Sequence, residues 1–235
     1  MLALHAVLVA LFIAVPLELR RAGLPVGEHW KVYLPVMLGS FVLMLPAIIG
    51  SGSAGRTRAV FLGSVAVLLA VQVALPWVAG GVWTIGGFLL VFFTAFNILE
   101  ATLPSAVTRI APAGARGMAI GVFTSLQFLG TFVGAVAGGY LYGRWGAEGI
   151  VIFDAALLVI WIVAAFGTRV PALLSTRAYA LPVLDRGQAD RLTARLKVLP
   201  GVLDARVEFG ERRACLTVDS AGFDEQNVLE LIAGK

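Results

Sequence analysis

The side chain best placed for chemistry is a carboxylate, Glu100, inside a long apolar stretch of the sequence. Thr94 and Asn97 precede it at intervals of three residues, which puts all three on one side of a helix. An acidic group in that setting can bind a proton or contact a substrate. It can also pair with Arg109, one or two turns away. We favour this ion pair, which would either hold the cytoplasmic side of the protein closed or only stabilise the fold, because buried charges are usually paired.

A second polar stripe lies in a later apolar stretch and consists of Thr124, Gln127 and Thr131. These hydroxyl and amide groups suit contact with a substrate or a proton, and hydrogen bonding between helices explains them equally well. Together with Asn97 and Glu100, they are the candidate residues for substrate binding or proton coupling.

Three other polar side chains stand alone in apolar surroundings. For His5 and Gln72 we expect a satisfied hydrogen bond to a neighbouring helix, although an imidazole can also transfer protons. For Asp154 we expect an ion pair with Arg144 near a membrane interface.

The sequence lacks the residue patterns of an enzyme. It shows no nucleophile with a matching base, no His-rich metal pattern and no glycine loop for phosphate. The single cysteine, Cys215, excludes a disulfide framework and a multi-thiolate metal site. The net charge of +4 is too small to indicate a nucleic-acid partner. We therefore expect no enzymatic activity, no metal, no cofactor and no nucleic acid.

The composition indicates the environment in which these residues lie. Of the 235 residues, 59% are hydrophobic and 14% are charged, and the mean hydropathy is +0.91, whereas soluble domains have about 25% charged residues. Because backbone polar groups must be paired inside lipid, uncharged runs of about 20 residues indicate helices that span a bilayer. Six spans are predicted, at residues 2–19, 31–50, 58–77, 84–106, 116–142 and 149–168.

The turns between these helices alternate in composition. Those after the first, third and fifth helices carry Trp and Tyr, whereas those after the second, fourth and sixth carry arginines. Arginines in short loops prefer the cytoplasmic side, so these turns and the C-terminus are predicted to be cytoplasmic. The arginines taken as cytoplasmic loop or gate residues are Arg56, Arg58, Arg109 and Arg116.

The fifth predicted helix contains glycines at a regular spacing. Gly130, Gly134 and Gly138 recur every four residues, with Gly121 before them and Gly139 after them. On a helix this spacing leaves a groove without side chains, and in lipid such close packing replaces the missing hydrophobic driving force. These glycines are therefore predicted to form a helix-packing motif.

The glycine spacing resembles a motif of major facilitator superfamily antiporters, with Ala135 in the place of the motif's proline. Residues 96–105, 111–112 and 116–121 resemble the tenth helix, cytoplasmic loop and eleventh helix of the YajR-like branch, and residues 24–33 are similar as well. The resemblance implies a protein of the bacterial inner membrane in which residues 1–168 form a six-helix half of the fold, equivalent to helices seven to twelve. A missing N-terminal half or a second copy would complete the transporter.

The C-terminal part of the chain is polar, with a linker predicted at residues 169–178 and a soluble domain at 179–235. The sequence pattern is that of a ferredoxin-like α+β domain without its last strand, so the domain is expected to be incomplete. The strands are predicted at 179–184, 205–209 and 214–218, and the helices at 190–199 and 227–232.

Residues 199–202 resemble the cytoplasmic domain that ends YajR-like transporters and also resemble heavy-metal-associated domains. The latter need a Cys-x-x-Cys in the first loop, where this chain has residues 185–188 of sequence Asp-Arg-Gly-Gln. Metal delivery is therefore not expected, and Cys215 is predicted to be a buried strand residue.

The resemblance implies transport of a small solute by alternating access, most simply efflux of small organic compounds in exchange for protons. Two alternatives stay open at this point. One is a proton-driven importer. The other is a membrane scaffold that transports nothing and whose cytoplasmic domain has a regulatory role.

Overall fold

The computed structural model describes residues 1–50, 54–74, 81–111, 113–167, 174–182, 185–208, 212–219 and 223–232. The chain forms two compact units. The first consists of Met1–Thr108 and Arg116–Val170, and the second of Arg109–Ala115 and Pro171–Lys235. In the described residues the first unit is helical, whereas the second contains a small sheet and two α-helices.

The first unit is built from long apolar helices, which is the fold that satisfies every backbone polar group in lipid. Within the described residues, five helices are long and apolar enough to cross a membrane. They are α1 (Leu2–Arg21), α2 (Trp30–Gly50), α3 (Ala54–Ala74), α4 (Val82–Ile110) and α5 (Arg116–Gly167).

The longest helix, α5, is broken at Gly146, whose φ of 64° and ψ of −149° are not helical. Positive φ is easily reached only by glycine. A Cβ placed on Gly149 would lie 2.7 Å from the carbonyl oxygen of Leu141, although residues eight apart in a straight helix are about 12 Å apart. The segment 147–167 therefore turns back on the segment 116–145.

With α5 supplying two segments, helices stand at the positions predicted for six spans. Two ends differ most from the predicted bounds, since α3 begins at Ala54 and α4 continues to Ile110. Pro104 lies inside α4 without ending it. Two predicted ends lie outside the described residues. They are the end of the third span, at residue 77, and the end of the sixth span, at residue 168.

The first helix also runs past its predicted end at residue 19. It stops at Arg21, where Gly23 takes a φ of 87°. The Leu24 N–H donates to the Leu19 carbonyl at 2.9 Å, and the Gly23 N–H donates to the Arg20 carbonyl at 3.0 Å. This pair of bonds is the Schellman motif, which satisfies the last carbonyls of the helix.

Two helices form the interior of the first unit. The buried share of the most apolar 18-residue stretch is 56% in α4 and 44% in α1, but only 17% in α2. Phe92, Phe93 and Phe96 of α4 are all buried in this core, so the phenylalanines of α4 pack inside the unit and do not face lipid. The outer helices present exposed apolar side chains, which suits a hydrocarbon environment.

The contact between α1 and α5 is a close approach of backbones. Three glycines of α5 meet three residues of α1 that have the same spacing of four. The pairs are Gly130 with Leu2, Gly134 with Ala6, and Gly138 with Ala10. A Cβ on either of the first two glycines would overlap an α1 carbonyl oxygen, and one on Gly138 would lie 3.0 Å from the Ala10 Cα. The residue numbers increase in the same direction along both helices, so α1 and α5 run parallel at this contact.

The other two glycines of the predicted packing motif do not take part in this contact. Gly121 and Gly139 are exposed, and a Cβ on either would meet nothing within 4 Å. Only the central three positions of the motif therefore carry the approach to α1.

This difference between glycines gives a test. Gly134→Ala adds a methyl group where no space exists, and we expect it to lower the free energy of unfolding by about 1–3 kcal/mol. Gly139→Ala adds the same group in open space, and the helix should gain up to about 1 kcal/mol from the better propensity of alanine. Unfolding of both variants in detergent measures the two effects. Equal destabilisation by the two would contradict the packing described.

The second unit contains an antiparallel three-stranded sheet of order β1-β3-β2, with helices after β1 and β3. Its buried core includes Leu196 of the first helix, Leu216 of the sheet and Val228 of the second helix. The elements are β1 (Leu174–Ala180), α6 (Arg186–Lys197), β2 (Val202–Glu208), β3 (Arg213–Asp219) and α7 (Glu225–Ile232).

The element order agrees with the predicted one, but the first strand is displaced. β1 begins at Leu174, inside the segment predicted as linker, and ends at Ala180. Arg177, taken from the sequence as a basic turn residue, is therefore a strand residue whose guanidinium donates to Glu225 of α7 at 2.6 Å. The hydrogen bonds from Arg177 and Tyr179 hold the pKa of Glu225 below its usual value.

Local geometry shows how Asp185, Gln188 and Cys215 of the second unit are placed. Asp185 and Gln188, at the place of the absent Cys-x-x-Cys, form a capping box at the start of α6, in which each side chain accepts the other's backbone N–H. The prediction that Cys215 is buried is wrong, since it is of intermediate exposure. The alternation of β3 places Ala214 and Leu216 in the core and Cys215 on the other face.

Candidate functional site

Two polar side chains, from α1 and α5, meet a carboxylate of α4 in the first unit. The Gln127 Nε2 of α5 donates to the Glu100 Oε1 of α4 at 2.8 Å. The His5 Nε2 of α1 lies 3.3 Å from the Gln127 Nε2 and 3.9 Å from the Glu100 Oε2. We call Glu100, Gln127 and His5 the Glu100 cluster.

The Glu100 cluster keeps unused capacity for a proton or a ligand. The Glu100 Oε2 and the His5 Nδ1 are buried atoms without a hydrogen-bond partner among the described residues. The side chain of Glu100 is nevertheless 34% exposed, against 14% for His5. A carboxylate with one oxygen held and the other unbonded can take up a proton, and the imidazole beside it can accept or supply one.

The packing of α1 on α5 explains how His5 reaches this position. His5 directly precedes Ala6, which lies against Gly134, and Gln127 lies one turn before Gly130 on the same helix. Because glycine lets the backbones approach, side chains from both helices can reach a third helix. The rings of His5 and Phe96 of α4 are also in contact, in a T-shaped arrangement with their centroids 5.9 Å apart.

Asn97, one turn before Glu100, is engaged elsewhere. Its Nδ2 donates to the Ser40 Oγ of α2 at 2.9 Å, and the Ser40 hydroxyl donates to the Met37 carbonyl at 2.8 Å. Both Asn97 and Ser40 are buried. Thr94, at the start of the predicted stripe, donates to the Leu90 carbonyl of its own helix. The stripe therefore makes three different contacts.

Ser40 was not identified from the sequence. It is the one serine or threonine of α2, which is a detectable signal in an otherwise apolar helix. Its partner could not be read from that signal, because periodicity shows the face of a helix and not the neighbour on that face.

The other hydroxyl residues of the candidate set do not join the Glu100 cluster. Thr124 and Thr131 are both partly buried. In the part of the chain that the structure describes, neither side chain has a hydrogen-bond partner. Of the three residues of the predicted stripe on α5, Gln127 alone contacts Glu100.

The candidate gate arginines lie at helix ends. Arg56 is exposed and donates to the Gly50 carbonyl at 3.2 Å. Arg58 is partly buried, Arg116 is exposed, and the side chain of Arg109 lies outside the described residues. Pairing of Glu100 with Arg109 thus stays a prediction.

The expected ion pair of Asp154 with Arg144 is wrong. Asp154 is fully buried and accepts a hydrogen bond from the Gln72 Nε2 of α3. Arg144 is exposed and precedes the break at Gly146, whereas Asp154 follows it. The reversal of the chain turns Asp154 toward α3.

Metal ligands are not grouped in the parts of the chain that the structure describes. No set of three or more His, Cys, Asp or Glu side chains there could hold an ion.

The hydrogen bond inside the Glu100 cluster can be measured by a double-mutant cycle. With Glu100→Leu and Gln127→Leu, we expect a coupling energy of about 1 kcal/mol in detergent unfolding, the size found for hydrogen bonds between membrane helices. Ser125→Ala is the matched control, because the Ser125 hydroxyl donates to the Gly121 carbonyl of its own helix. Its cycle with Glu100→Leu should show no coupling, and comparable values in the two cycles would contradict the assigned contact.

Comparison with known proteins gives membrane transporters as relatives. An uncharacterized transporter of Buchnera aphidicola subsp. Baizongia pistaciae is 24% identical over 169 residues, which are 69% of this chain and 42% of that protein. A transporter of Buchnera aphidicola subsp. Acyrthosiphon pisum, also uncharacterized, is 27% identical over 131 residues. No protein-family model matches. The chain is thus homologous to membrane transport proteins.

One relative has a specific name. The inner membrane transport protein YajR of Escherichia coli (strain K12) is 32% identical over 217 residues, which are 92% of this chain and 48% of YajR. This relationship confirms the predicted resemblance to YajR-like transporters. The chain spans about half the length of the relatives that it matches, or less.

Proposed function

We propose that this chain is the C-terminal half of a major facilitator transporter that moves a small solute in exchange for protons. The observation that carries the proposal is the Glu100 cluster, in which a carboxylate inside a membrane unit keeps an unbonded oxygen beside an imidazole. Ionisable residues in membrane helices are costly, and they commonly mark ion or substrate pathways.

The chemistry of the cluster suits a proton that is bound and released. With Glu100 ionised, its Oε1 accepts from Gln127 and its Oε2 faces His5 at 3.9 Å. With Glu100 protonated, the charge is lost and the acid becomes a donor. Because α1, α4 and α5 each contribute one residue, proton binding changes the contacts among three helices. A ligand shifts a conformational equilibrium only by such differential contacts.

The architecture gives further support. The matched segments cover 48%, 42% and 34% of the relatives named transporters, so we propose that another six-helix half or a second copy completes a cavity with α1 to α5. The sheet order β1-β3-β2, with helices after β1 and β3, supports a ferredoxin-like domain on residues 171–235. We place this domain in the cytoplasm on the strength of the arginine turns.

Efflux of small organic compounds is the direction that we propose. It rests on the glycine spacing that resembles antiporters and on the parallel, glycine-mediated packing of α1 and α5. Measurements of solute and proton flux distinguish this proposal from transport of other solutes and from transport in the opposite direction.

The test is proton movement in proteoliposomes that contain the full product of the gene and a pH-sensitive dye inside. A gradient of candidate organic cations or neutral compounds should drive proton flux in the opposite direction. Glu100→Gln keeps a hydrogen-bonding group but cannot release a proton, so it should reduce this flux to that of empty liposomes. Glu148→Gln, at an exposed position of α5, is the matched control and should retain flux.

Three results would contradict the proposal. Proton flux in the same direction as the solute would indicate an importer. Solute flux that is unchanged in Glu100→Gln would remove Glu100 from proton coupling. A full gene product that binds and moves none of a broad panel of compounds would favour the scaffold.

A further inference from the structure

The first unit contains a fully buried carboxylate that, in the described residues, shares no hydrogen-bond partner with the Glu100 cluster. Asp154, in the C-terminal segment of α5, is 0% exposed, and so is Gln72 of α3. The only hydrogen bond that the structure gives to the Asp154 side chain in the described residues comes from the Gln72 Nε2 to its Oδ2. Two helices thus meet through one carboxyl group and one amide in an apolar core.

A count of donors and acceptors determines the state of this pair. The Oδ1 of Asp154 and the Oε1 of Gln72 are both buried and both lack a partner among the described residues. Both are acceptors when Asp154 is ionised, so neither can satisfy the other. Each unsatisfied buried polar atom destabilises the fold, and an unpaired buried charge destabilises it more.

One added proton resolves both deficits. An acid proton on the Asp154 Oδ1 can be donated to the Gln72 Oε1 while the Gln72 Nε2 continues to donate to the Asp154 Oδ2. Acid and amide then form a reciprocal, neutral pair with no acceptor left over, whereas the ionised form leaves two.

Among the described residues, no cation compensates a charge on Asp154, since none of the charged side chains there forms an ion pair with it. Residues 75–80, which follow α3 and are not described, include no ionisable side chain. The charged or titratable groups on the elements around it are His5, Glu18, Arg20 and Arg21 of α1, Arg56 and Arg58 of α3, and Arg116, Tyr140, Tyr142, Arg144 and Glu148 of α5.

We propose that Asp154 and Gln72 form a protonated acid–amide pair, a buried proton-binding site distinct from the Glu100 cluster. The bound proton makes the pair a neutral link between α3 and the C-terminal segment of α5. Loss of the proton leaves an unpaired charge in this link and favours its separation. The inference does not depend on Glu100 carrying a transported proton.

Infrared spectroscopy of the chain in lipid at pH 7 tests the state of Asp154 directly. Isotopic labelling of the aspartate carboxyl carbons shifts their bands away from those of glutamate. We expect the labelled parent chain to show the C=O stretch of a protonated aspartic acid. Asp185, Asp190 and Asp224 are exposed and Asp204 pairs with Lys197, so these four should be ionised. The variant at Asp154 distinguishes this residue from Asp219. Absence of that band in the parent chain would overturn the proposal without any mutation.

Two variants assign the band. Asp154→Asn replaces the neutral acid by an amide of the same shape, so the band should vanish while the unfolding temperature stays close to that of the parent. Gln72→Leu removes the partner of the acid and should lower the unfolding temperature. If the aspartic acid band remains in Asp154→Asn, the protonated group is another aspartate. If Asp154→Asn instead removes absorption of an ionised carboxylate, Asp154 is ionised in the parent chain. Either result would overturn the proposal. Glu148→Gln, the control, should leave the aspartic acid band in place.

Discussion

The close approach of the α1 and α5 backbones is the contact on which the candidate site depends. In lipid, apolar side chains gain nothing from leaving water, so helices associate through van der Waals packing and hydrogen bonds. Gly134 against Ala6 provides that packing, and the Glu100 cluster provides the hydrogen bonds. A side chain at Gly134 would push α1 away and would move His5 from Glu100 with it.

Glu100 and Asp154, two of the carboxylates of the first unit, differ in environment. Glu100 is partly exposed, with a donor at one oxygen and an imidazole near the other. Asp154 is fully buried with a single amide partner, and its hydrogen-bond count is complete only in the protonated form. Environment, and not residue type, distinguishes such acids.

Much of this arrangement could be predicted from periodicity and composition. Uncharged runs predicted the helices, and the spacing of four predicted which face of α5 is free of side chains. What these patterns could not show is the partner across a contact. Asn97 and Glu100 share a face, yet Asn97 bonds to Ser40 of α2 and Glu100 to Gln127 of α5, because neighbouring turns of α4 meet different helices.

Two errors arose from local geometry. Arg144 and Asp154 are close in sequence, and only the reversal at Gly146 separates them and turns Asp154 to Gln72. Cys215 was predicted to be a buried residue of the strand at 214–218, but the alternation of that strand places Ala214 and Leu216 in the core and Cys215 on the other face. Sequence proximity did not show the reversal, and the alternation alone did not show which residues face the core.

A distance between His5 and Glu100 in a bilayer tests most directly whether the packing of α1 on α5 brings the imidazole to the carboxylate. The chain contains two histidines, so His29→Gln leaves ¹⁵N label in the His5 ring alone, and ¹³C-carboxyl glutamate supplies the second nucleus for solid-state NMR. We expect a dipolar contact between the His5 Nε2 and the Glu100 carboxyl, in keeping with the 3.9 Å between Nε2 and Oε2, that disappears in Glu100→Gln. The absence of any contact, or a contact that persists in Glu100→Gln, would contradict it.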